Sequence, residues 1–124
     1  MRYLVSVLLL IPFIAGSAAA SANEAVPTMA DILVELNHFP SDDDKDRLQA
    51  IVADENSTDH ERAVAKALMN VEHTVSADDK KTLTALTNDE SVADGVRLLA
   101  EALLGLNHNL AESEETKIRA LMSH

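Results

Sequence analysis

Three histidines, His38, His73 and His108, stand 35 residues apart in matching contexts: "ELNHFPSDDDKDRLQAI" from residue 35, "NVEHTVSADDKKTLTAL" from 70 and "GLNHNLAESEETKIRAL" from 105. Imidazole ligates transition metals and changes charge near neutral pH, so a ring repeated at one register could build a metal site or a protonation switch. Equivalent helices of neighbouring copies lie about 10 Å apart, so two rings meet at one ion only if both point along the repeat axis. The plainer role is at a helix C-terminus, where an imidazole donates to the last carbonyls and its charged form is favoured by the dipole. No HExxH, no histidine pair four apart and no cysteine accompanies them. The expectation is therefore that no metal or other cofactor is held, with His38, His73 and His108 as the candidates if one is.

The acids of "SDDDKD" resemble a calcium loop only superficially. Counting from Asp42, an EF-hand needs Gly at the sixth position and Glu at the twelfth, where this chain has Arg47 and Ala53. Asp42, Asp43 and Asp44, like Asp78 and Asp79, read instead as first-turn acids favoured by the positive end of a helix. His60, beside a helix start, and His124, the last residue, read as surface. No catalytic residues are assigned, because no serine sits in a nucleophile elbow and no glycine-rich loop could cradle a phosphate. An enzyme is not expected.

The elements that would position the histidines follow from the repeat. Residues 30–64 and 65–99 share thirteen identities, among them Ala30, Leu33, His38, Ser41, Asp44, Leu48, Asp54, Asp59 and Arg62; a third copy runs over 100–124. A period of this length means one supersecondary unit packed on copies of itself. Apolar residues recur at helical spacing (Val64, Leu68 and Val71; Val96, Leu99, Leu103 and Leu106), and nothing alternates with period two. Capping pairs Thr28–Asp31, Ser41–Asp44, Thr58–Glu61, Ser76–Asp79 and Ser91–Asp94 mark helix starts. These signals predict helices over about 28–38, 42–54, 58–74, 77–87, 92–108 and 112–122. The fold class is all-α: three helix-turn-helix units in a short right-handed stack or a compact bundle.

The chain resembles the αα-hairpin solenoids, of which tetratricopeptide repeats are nearest in period at 34 residues. The resemblance is architectural, since the Trp, Tyr and Phe of that pattern are missing and only Gly105 in "LLGLNH" echoes it. It implies a protein-interaction module and carries over no binding residues.

Residues 1–22, with Arg2, an apolar run from Leu4 to Ala15 and the small residues Ala20-Ser21-Ala22, read as a secretory signal cleaved before Asn23. The run is too short to span a membrane, which takes roughly twenty residues. Residues 23–124 then form one domain in the periplasm or outside the cell, held by its core alone because the chain has no cysteine. That domain carries nine Lys and Arg against twenty-one Asp and Glu, net −12, which disfavours nucleic acid and anionic membranes and favours a basic protein or peptide partner. Its one aromatic is Phe39. The expected function is a non-catalytic interaction module; the alternatives are a periplasmic transition-metal binder using the three histidines, and a purely structural protein.

Overall fold

A computed structural model describes residues 24–107 and 110–122. The expected signal segment 1–22 and its expected cleavage site, with His108 and His124, lie outside the described residues. Six helices are present there: α1 (Ala25–Glu35), α2 (Asp42–Ala53), α3 (Asp59–Met69), α4 (Ala77–Thr87), α5 (Asp94–Leu104) and α6 (Glu112–Met122). None of them is long and apolar enough to cross a membrane.

The local signals act as the sequence suggests at three of the five marked starts. Ser41 and Asp44, and Thr58 and Glu61, form reciprocal capping boxes, and Ser76 accepts from the Asp79 N–H. The other two differ. α1 begins at Ala25, so Thr28 and Asp31 lie inside it, and α5 is capped by Ala93 without a side-chain bond. Ser91 instead donates its N–H and hydroxyl to Asp89 in the preceding turn, which holds the Asp89 carboxyl below its usual range. α1, α3 and α5 also stop three to five residues short of their expected ends. Beyond each helix the chain turns inward to bury Leu36, Val71 or Leu106.

Burial separates the helices into two sets. α1, α3 and α5 each bury four or five side chains, whereas α2, α4 and α6 bury two, two and one. The inner three pack on one another. Each outer helix lies against two inner ones, and far more extensively against the following one: α2 against α3, α4 against α5, and α6 against α1. The last pairing closes the ring. Gly95 at the start of α5 shows the closure locally, since a Cβ there would meet Val26 of α1 at 3.2 Å and Leu121 of α6 at 3.6 Å. The arrangement is a compact bundle with approximate threefold internal symmetry, because an open stack would keep its first and last helices apart.

The core repeats with the sequence. Met29, Val64 and Leu99, then Ala30, Ala65 and Ala100, then Leu33, Leu68 and Leu103, and finally Leu48, Leu83 and Ile118 occupy equivalent positions and are all at most 2% exposed. Most recurring polar residues have local work. Asp54 and Asp89 cap turns by accepting from Asn56 and Ser91 N–H groups. Arg62 donates to the Asp54 carbonyl at 2.9 Å and pairs with Asp59, and Arg97 repeats this with the Val92 carbonyl and Asp94.

Closure makes the chain ends interchangeable with a connection. Joining residue 122 to residue 24 by a linker as short as the 54–58 and 88–93 connections, while opening the chain within 54–58, should give a permutant with unchanged helical circular dichroism and one cooperative melt. Loss of that melt would contradict the closed arrangement.

Candidate functional site at the histidine turns

After α1 the backbone leaves the helix at Leu36, whose ψ of 132° is extended. Pro40 restrains Phe39 to extended conformations and the reversal falls on His38; the second copy reverses in the same way at His73 with Val75 in place of the proline. His38 takes a φ of 73°, and the Phe39 N–H donates to the Asn37 carbonyl at 2.9 Å, the φ and hydrogen bond of a tight three-residue turn. His73 also has a φ of 73°, with the Glu72 N–H donating to the Thr74 carbonyl at 3.2 Å. Isolated bridges, Asn37 with Phe39 and Glu72 with Thr74, flank the two histidines. A left-handed φ costs a residue with a Cβ roughly 1–2 kcal/mol, and these are the positive-φ residues of the described chain.

The two turns are joined. The His73 N–H donates to the His38 carbonyl at 2.6 Å, and the side chains meet with ring centroids 4.9 Å apart and planes inclined by 64°. Their Nδ1 atoms are 3.2 Å apart, so one neutral ring can donate its Nδ1 proton to the other. His38 is half-buried and His73 exposed. The helix-end role is thus corrected: both rings stand beyond the helices, because the turn that buries Leu36 and Val71 carries the histidines on to each other. Rings of two different copies, His38 and His73, are thereby brought into contact. Among the described residues no three His, Asp or Glu side chains gather into a metal-ligating group.

Phe39 sits beside this pair and is 58% exposed, the large apolar side chain that the described surface leaves to solvent. A cleft of about 590 Å³ runs past it, lined by Lys45, Met69, Asn70, Val71, Glu72 and His73. Apolar wall, amide, ammonium and carboxylate therefore line one depression at the histidine end. A second cleft, of about 280 Å³, lies between α1 and α2 beside Arg47 and Asp54, and Arg47 already pairs with Asp31 at 3.1 Å.

Sequence reasoning noted Phe39 as the one aromatic of the mature domain without giving it a role. The available signal was its place between a histidine and a proline, where the chain cannot continue as helix. His60 is half-buried at the start of α3, away from the histidine turns along that helix. Comparison of the chain with family models, with curated proteins and with solved structures found no match.

Proposed function

We propose that the protein is a small exported, non-catalytic binding module, and that a protein or peptide docks at its histidine end over Phe39. The observation that carries this reading is the exposure of Phe39 at the edge of the 590 Å³ cleft. A large aromatic left in water beside partly apolar walls is costly in a free monomer and is the usual anchor of an interface. Closure of the bundle supports an end-on mode, because a ring of three units lacks the extended concave face of a longer solenoid. The net charge of −12 on the expected mature domain favours a basic partner, with Glu72 in the cleft wall as a local counter-charge.

Photo-crosslinking from position 39 in the native compartment identifies the partner. The purified partner should then bind the wild-type domain and lose about tenfold or more in affinity to Phe39→Ala, the scale of an interface anchor. The fold of that variant should be unchanged, since the side chain is exposed. Equal crosslinking from Glu90, in a connection at the opposite end of the bundle, with no loss in Phe39→Ala, would refute docking at this end.

A further inference from the structure

We propose that His38 and His73 bind one divalent transition-metal ion, of the zinc class, between their Nδ1 atoms. The spacing is the first argument. Two imidazole nitrogens bonded to zinc at 2.0–2.1 Å with tetrahedral angles stand about 3.3–3.4 Å apart. The two Nδ1 atoms are already 3.2 Å apart. An ion therefore needs only a small outward shift of the rings, with the donor ring's proton moving from Nδ1 to Nε2 so that each neutral ring keeps one proton. The 64° inclination is a T-shaped contact rather than a stack, and it leaves the two Nδ1 atoms next to each other.

The backbone is the second argument. Both histidines hold a φ of 73°. Glycine would adopt this conformation at lower cost, yet both described copies place histidine there. The recurring Ser41, Asp44, Asp54 and Arg62 serve caps and turns, whereas His38 and His73 turn their rings to each other. This inference is independent of the docking proposal, because it needs no partner.

The test uses metal-free mature domain and zinc alone. Titration calorimetry should show one zinc per chain, and zinc should raise the melting temperature by mass action. His38→Asn and His73→Asn should each lose both effects while keeping helical circular dichroism, since asparagine tolerates the left-handed turn. His60→Asn should keep both. In the wild type, zinc should move the Nδ1 nitrogen resonances of His38 and His73 and leave those of His60 in place, a readout that needs no variant to fold. Binding of equal stoichiometry in both asparagine variants would assign the heat to surface carboxylates and overturn the proposal, as would the absence of zinc binding or unmoved Nδ1 resonances in the wild type.

Discussion

Deleting the last helix, by ending the chain after residue 109, is expected to unfold the domain rather than shorten it. α6 contributes Ile118, fully buried, and Leu121 and Met122, buried in part. A fully buried side chain of this kind contributes about 1.5–3 kcal/mol, and a whole domain of this size is stable by only about 5–15 kcal/mol. The larger loss falls on α1. Its most extensive packing is against α6, so deletion strips the first helix of its principal neighbour as well as removing the last. An open stack would respond differently, since its first four helices would keep every contact and still melt cooperatively. Far-ultraviolet circular dichroism with a thermal melt decides: a truncated chain retaining five helices' worth of signal and a sharp transition would refute closure.

That closure was the part of the fold least legible in the sequence. The six helices, their period and their core were readable because each is written locally. Leu33, Leu68 and Leu103 sit at one register, and Ser41 and Thr58 announce the helices that they cap. Whether copies continue along a line or turn into a ring depends on the angle between successive units. That angle comes from the shapes of packed side chains such as Ala30, Ala65 and Ala100, and no pattern of polar and apolar letters encodes it. The same limit hid the geometry of the site. The 35-residue spacing marked His38 and His73 as equivalent, but helical periodicity running through Leu36 and Val71 extended α1 and α3 past their true ends. Those two residues are buried after the helix has stopped, so they satisfy the apolar pattern while the backbone does something else. A positive φ at a histidine has no signature in one sequence, and the contact between the rings exists only because two such turns face each other. Phe39 was visible as a rare aromatic, whereas its exposure follows from the tertiary placement of the turn.

The three equivalent leucines allow a quantitative test of the same symmetry. Leu33, Leu68 and Leu103 are each 0% exposed on inner helices that pack on one another and on the outer helices beside them. Replacing any one with Ala removes a buried isobutyl group and leaves a cavity, at a cost of about 2–5 kcal/mol depending on how far the surroundings collapse. In a closed ring every inner helix has the same kinds of neighbours, so the three losses should be comparable. In an open stack the middle copy is flanked on both sides and the end copies on one, so Leu68→Ala would be clearly the most damaging. Urea unfolding of the three single variants in the 23–124 segment, monitored by circular dichroism because that segment has no Trp or Tyr, gives the comparison directly. Similar shifts in midpoint with unchanged slope are the expected result. A loss at Leu68 much larger than at Leu33 and Leu103 would mean that the contact between α6 and α1 contributes little in solution. The histidine turns would then have to be positioned by the pairing of the first two units alone.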